Sequence, residues 1–283
     1  METPLLVVRI VLLACLVWTI GSLLFLTLLG RMSESADRRA RILAIASSVL
    51  GLAALAATTL LQLLEIGGDW QAAVDPYTIQ LFLETGGVAA GLRLAGCLLA
   101  VPAAFLATRV TAWAPVIVLT ASFGFGGHTT SHEPETLLRV VVAGHVFMAA
   151  FWLGALLPLA RAASGDEPAA TARLASRFSL LATVSVALLV IGGGTLAMLL
   201  SQAAPWEWTA TDWGRGLLVK LAGVSALLLF AAYHRWSLTP RIAAGDAAAG
   251  RRLQASIRLE TLVAVLVLVA TAWFAYQHDP LGR

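Results

Sequence analysis

The chain is short of charge, lysine, cysteine and methionine, and each shortage excludes something. Only 12% of its 283 residues are Asp, Glu, Lys or Arg, against 59% hydrophobic. That balance cannot supply both the surface and the core of an ordinary soluble domain. Cysteine occurs only at positions 15 and 97, both within long apolar runs, where a disulfide framework is not expected and a small buried apolar role is usual. The four methionines are scattered, so no thioether-rich segment exists to favour a soft metal. No G-x-x-x-x-G-K-[ST] loop is present and no polar stretch is long enough to house a nucleotide site, which argues against nucleotide binding. A net charge of +3 is carried by clustered arginines and gives no reason to expect nucleic acid.

What is there is hydrocarbon. Apolar runs of about 20 residues, the length a helix needs to cross a bilayer's roughly 30 Å apolar layer, recur along the whole chain. Eight spans are predicted, at 5–29, 42–64, 86–108, 114–127, 136–159, 178–200, 214–234 and 259–276, the fourth being short. The expected fold is therefore all-α, a polytopic membrane protein forming one membrane domain over 1–283 with the lipid bilayer as its first partner and no soluble domain. Arg9 interrupts the first run and no basic segment precedes it, so that run is expected to be retained rather than cleaved as a signal peptide. Arginines gather after the first span (Arg31, Arg38, Arg39, Arg41), the fifth (Arg161, Arg173, Arg177) and the seventh (Arg235, Arg241, Arg251, Arg252, Arg258). Basic short loops stay cytoplasmic, so both termini are expected outside.

The chain also resembles itself. TGGVAAGLR at 85–93 returns loosely as TDWGRGLLVK at 211–220, and Trp18 with Gly21 parallels Trp152 with Gly154. This reads as two parallel four-helix repeats, 1–127 and 136–283, related about an axis along the membrane normal. Within them Arg93 and Lys220, the only lysine, fall about two turns inside their helices, where an ionisable group must snorkel, pair or face a wet cavity. Glu84, Glu65 and Asp212 are the nearest acids for pairing.

Four of the five histidines fall in the outer half by this topology: His128, His132, His145 and His278; His234 goes inward. Imidazole with carboxylate suits Cu(II), Zn(II) and similar ions. His128, His132 and His145 would make a first shell, with Glu133 and Glu135 orienting them or adding a weak ligand. On spacing alone, two loop histidines in water and one packed between helices explain the same residues.

The motifs together are more specific. GHTTSH at 127–132, then GHVFMAAFWLGALLPL at 144–159, FSLLA at 178–182, TDWGRGLLVKL at 211–221, HRWSLTPR at 234–241 and RLQASIRLE at 252–260 closely resemble the CopD family of bacterial copper-resistance inner-membrane proteins. The resemblance covers 120–280 well and the first third mainly through helix number. It implies eight helices in the cytoplasmic membrane, copper moved inward from the periplasm, and a soluble periplasmic copper carrier as partner. It carries metal contact onto His128, His132 and His145, gives Trp152 and Gly154 a helix-packing place, and includes Lys220 and Glu260 without assigning their roles. His234 departs from the family pattern, which more often has asparagine there; an interfacial polar residue or an inner exit ligand both fit. His278, in the outer tail, is an accessory candidate or simply solvated.

Copper, in either oxidation state, is thus the expected cargo, and no enzymatic activity is expected. A membrane potential favours inward movement of a cation by about 2.3 kcal/mol per charge per 100 mV, which favours uptake. Two other readings stay open. One is a haem-binding membrane redox protein, with ligands drawn from different helices because Pro134 separates His132 from His145. The other is a copper-binding assembly factor without transport.

Overall fold

The computed structural model describes residues 2–106, 109–126, 134–164, 168–201 and 204–277. Among these, all regular structure is helical. In order come α1 (Glu2–Leu28), α2 (Glu34–Gly67), α3 (Trp70–Ala73), α4 (Pro76–Phe82), a π-helical turn (Leu83–Gly87), α5 (Val88–Leu106), α6 (Arg109–Ala121) and a 3-10 turn (Ser122–Phe125). The second half contains α7 (Glu135–Ala163), α8 (Pro168–Leu200), a 3-10 segment (Pro205–Ala210), α9 (Asp212–Tyr233), a second π-helical turn (His234–Leu238), α10 (Thr239–Ala243) and α11 (Ala247–Gln277).

Among the described residues seven segments, not eight, are long and apolar enough to cross a membrane. The expected fourth span is the exception: its apolar helix covers only Val110–Phe125, about 24 Å at 1.5 Å per residue, short of the hydrocarbon thickness. It still packs, with Ala112, Val116 and Leu119 buried. α2, α7, α8 and α11 start ahead of their predicted limits, because hydropathy marks only the part in hydrocarbon, while capping sets the true ends. Ser33 accepts the amide of Ala36 and starts α2 eight residues early. Asp75 accepts the amide of Tyr77 and Pro76 opens α4, as residues suited to those positions do.

The bundle is built around α1. Two thirds of its apolar window is buried, against 6% for the windows of the fifth and sixth full spans, α8 and α9 with its extension. Those two helices therefore lie at the periphery with most of their apolar side chains turned to lipid. α1 and α7 meet at two glycines: a Cβ on Gly21 would lie 2.7 Å from the Gly154 Cα, and one on Gly154 would lie 2.9 Å from the Ser22 nitrogen. Small residues allow such backbone approach, the main source of helix association where no hydrophobic effect operates.

One end of the bundle is basic. Arg38 and Arg39 of α2 share a cavity of about 710 Å³ with Arg161 of α7, and Arg241 of α10 pairs with Asp246 at 3.0 Å. The first residues of α11 belong to the same end, since Gly250 lies against the carbonyl of Ala163 at the end of α7. The opposite end carries acids and aromatic rings: Asp69 and Asp75 as helix caps, and Trp208, Trp213 and Phe274 packed ring against ring, the amphipathic indoles being of the kind that favours a membrane interface.

Candidate functional site

His128, His132, Glu133 and His278 lie outside the described residues. α7 begins at Glu135 with Pro134 as its N-cap, so the helix that carries His145 does not extend back to His132. Glu135 in its first turn pairs with Arg139, whose guanidinium covers the Phe125 ring at 4.8 Å. Arg139 thereby ties the start of α7 to the end of the short helix.

His145 sits ten residues into α7, about 15 Å along the axis. Its ring lies on a ledge made by consecutive glycines of α8: a Cβ on Gly193 would be 3.3 Å from the imidazole Cε1, and one on Gly192 would be 3.8 Å from Nδ1. Nδ1 is buried, and the ring lies within reach of the backbone of Leu189, one turn before the ledge. Trp113 stacks on Phe147 at 6.3 Å two residues on. Lys220 of α9 lies within electrostatic reach of His145.

The other intramembrane polar residues separate. Asp212 pairs with Arg215 one turn later, and Glu84 accepts from the Gln80 amide at 2.8 Å. Arg93 covers the Phe123 ring at 5.7 Å, its Nε without a hydrogen-bond partner, in electrostatic reach of Arg9 and Cys97. Both cysteines are free and buried and flank Gly51 of α2.

A second polar group lies toward the basic end. There His234 and Glu260 face each other across 3.5 Å from Nδ1 to Oε2, with side chains 13% and 1% exposed. Nε2 of His234 is hydrogen-bonded to the Ser256 hydroxyl at 2.8 Å. The Trp152 indole is within interaction range of the same carboxylate, although Glu260 Oε2 has no hydrogen-bond partner. These residues line a cavity of about 400 Å³ between α7, α8, the α9–α10 segment and α11. Sequence reasoning placed His234 and Glu260 separately and missed their meeting, the glycine ledge and Ser256. The legible signals were the Gly192–Gly194 run and Pro240, which lacks the amide that would continue a regular helix and follows the π-helical turn that carries His234.

Among the described residues no three His, Cys, Asp or Glu side chains converge as a metal cluster. The family model described as copper resistance protein D matches residues 172–274. The one described as copper resistance protein D-like, N-terminal domain, matches residues 1–138, so the first third carries a family signal of its own beyond helix number. His128 and His132 fall in the N-terminal match, Lys220, His234 and Glu260 in the other, and His145 between the two. Searches of curated proteins and of solved structures return no match. Two copper resistance protein D models, together covering most of a chain of membrane-length helices, make this protein a member of the CopD copper-resistance family of membrane proteins.

Proposed function

We propose that the protein receives copper at an outward-facing site built from His128, His132 and His145 and passes it inward through the second half of the bundle. The observation that carries this reading is the His145 imidazole, held at depth on the Gly192–Gly193 ledge of α8. An ionisable ring inside a membrane-length helix is costly and marks a functional position. The segment bearing His128 and His132 joins the bundle immediately before α7, which supports their reaching the same ion. Arginines at one end support that end as cytoplasmic and the histidine end as periplasmic, in the inner membrane with both termini outside.

The ammonium of Lys220 opposes a cation at His145 and favours an ion that arrives with anionic ligands, such as one presented by the acidic or thiolate groups of a periplasmic carrier. The likeness of Trp18 and Gly21 to Trp152 and Gly154 in sequence, and the crossing of α1 and α7 at Gly21 and Gly154, support an origin by duplication, 1–127 and 136–283. The deciding experiment is copper content of detergent-purified protein after copper loading, for wild type and the H128A/H132A/H145A variant. Near-stoichiometric copper lost in the variant is the expected result; equal copper in both, or a Soret band in wild type, overturns it in favour of other ligands or a haem protein.

A further inference from the structure

Some arginines at the basic end are already committed. Arg235 is bonded to the hydroxyls of Ser179 and Thr183, and Arg241 pairs with Asp246. Arg38 and Arg39 are not: among the described residues neither guanidinium has an acid or hydroxyl partner. Both line the cavity of about 710 Å³ between α2, α7 and α8, where Arg161 joins them from the far end of α7. Three guanidiniums there face one carboxylate, that of Glu34, so two positive charges are left unmatched in a concave site that attracts anions.

The first turn of α2 adds to this field. Ser33 caps it by accepting the Ala36 amide, which leaves the amides of Glu34 and Ser35 without intrahelical acceptors. The positive end of a 34-residue helix therefore opens at the same cavity, an arrangement that suits phosphate. The opposite wall is fixed: the buried hydroxyl of Thr171 donates to the Ala162 carbonyl at 2.9 Å and holds the start of α8 to the end of α7.

Depth and surroundings identify the source of the phosphate. Arg38 and Arg39 stand about one turn before the apolar run of α2 that starts at Ile42, and Arg161 just follows the apolar run of α7 that ends at Leu159. That places the guanidiniums about 3–6 Å outside the hydrocarbon, in the headgroup layer. From the cavity an exposed apolar stripe runs down α2, with Ile42, Ala46, Val49 and Ala53 on one face at helical spacing. The stripe is about 16 Å long at 1.5 Å per residue, the depth of one leaflet of a roughly 30 Å hydrocarbon layer. A free phosphate would use the arginines and ignore the stripe; a phospholipid uses both.

We propose that this cavity binds an anionic phospholipid, its phosphodiester held by Arg38, Arg39 and Arg161 and an acyl chain laid along Ile42, Val49 and Ala53. Basic pockets between membrane helices recognise anionic headgroups in this way, and the guanidinium fork matches paired phosphate oxygens. Bound there, the lipid bridges α2 to α7 and α8, and so anchors at the basic end a helix that has little buried surface of its own. The inference is independent of copper.

The test is native mass spectrometry of the full-length protein in detergent, titrated with dioleoylphosphatidylglycerol or dioleoylphosphatidylcholine, with the unfolding midpoint measured in parallel. Wild type is expected to retain one phosphatidylglycerol per chain in preference to phosphatidylcholine, and to gain midpoint with it. R38Q/R39Q/R161Q should weaken that binding on the order of a hundredfold, roughly fivefold per arginine. R251Q/R252Q/R258Q, which removes the same charge from exposed positions of α11 outside the cavity, should leave it unchanged. Equal loss in the two triple variants would reduce the effect to diffuse attraction by a basic surface and overturn the site. Unchanged binding in both, or equal retention of the two lipids, would overturn it as well. Displacement of the lipid by inorganic phosphate at equal concentration would assign the cavity to a free anion and overturn the lipid. Should R38Q/R39Q/R161Q aggregate, Arg161→Gln alone should still lose about fivefold, and wild-type affinity in that variant refutes the proposal.

Discussion

Replacing Gly21 by alanine should loosen the bundle at its centre. A Cβ there would sit 2.7 Å from the Gly154 Cα and 2.9 Å from the Ala150 carbonyl carbon, where ordinary contact begins at 3.4 Å. Both obstacles are backbone, and the Ala150 carbonyl oxygen is nearer still, so no side-chain rotation relieves them and α1 and α7 must part by more than the shortfall at Gly154 alone. Overpacking of this kind destabilises by about 1–3 kcal/mol. A gap of that size also weakens contacts around neighbours such as Ile20, Leu23, Ala150 and Phe151, all buried, since dispersion falls steeply with separation. The comparison is Gly194→Ala, at a helical glycine with nothing within 4 Å of its Cβ, expected to be neutral or stabilising by about 0.5–1 kcal/mol. Thermal unfolding of both variants in the same detergent should lower the Gly21→Ala midpoint by several degrees and leave Gly194→Ala at or above wild type. Equal midpoints for Gly21→Ala and wild type would refute the claim that close backbone approach holds the two halves together.

Gly193→Val should push the His145 ring off its ledge, since the Cβ alone lies 3.3 Å from Cε1; copper retained after loading should fall with little change in the unfolding midpoint. Lys220→Gln removes the charge within electrostatic reach of His145 and should tighten copper binding by roughly five- to tenfold, on the order of 1 kcal/mol, read by competition with a chelator of known affinity. Ser256→Ala deletes the hydroxyl at 2.8 Å from His234 Nε2. It should destabilise by about 1 kcal/mol, read as a lower unfolding midpoint. For orientation, a cysteine at Ser131 in a C15A/C97A chain should react with an impermeant maleimide in spheroplasts, and one at Gly245 only after lysis; the reverse pattern inverts the topology.

Most of the architecture was legible because hydrocarbon immersion imposes a simple rule on sequence. Every predicted span corresponds to a helix, yet α2 and α11 run well beyond the apolar stretch, because alanine, arginine and glutamate continue a helix into water as readily as leucine continues it through lipid. The short fourth helix was the weak point in the hydropathy and is the weak point in the bundle, its regular turns giving way at Ser122–Phe125 beside Gly124 and Gly126. His145 was readable as an intramembrane imidazole, but its glycine ledge belongs to another helix 47 residues on. The pairing of His234 with Glu260 was not readable at all. It depends on a π-helical turn shifting the register of one segment and on the azimuth of α11, neither of which leaves a local periodic signal in the chain.

The peripheral position of α8 and α9 bears on how the cavity behaves. Two of its four walls belong to helices with little buried surface, while α7 is clamped to α1 at glycine. The width of the cavity beside Glu260 is therefore open to lateral pressure and bilayer thickness as well as to protein contacts. In a thicker bilayer α8 and α9 must stand more upright, so acyl-chain length should change the shape of that cavity.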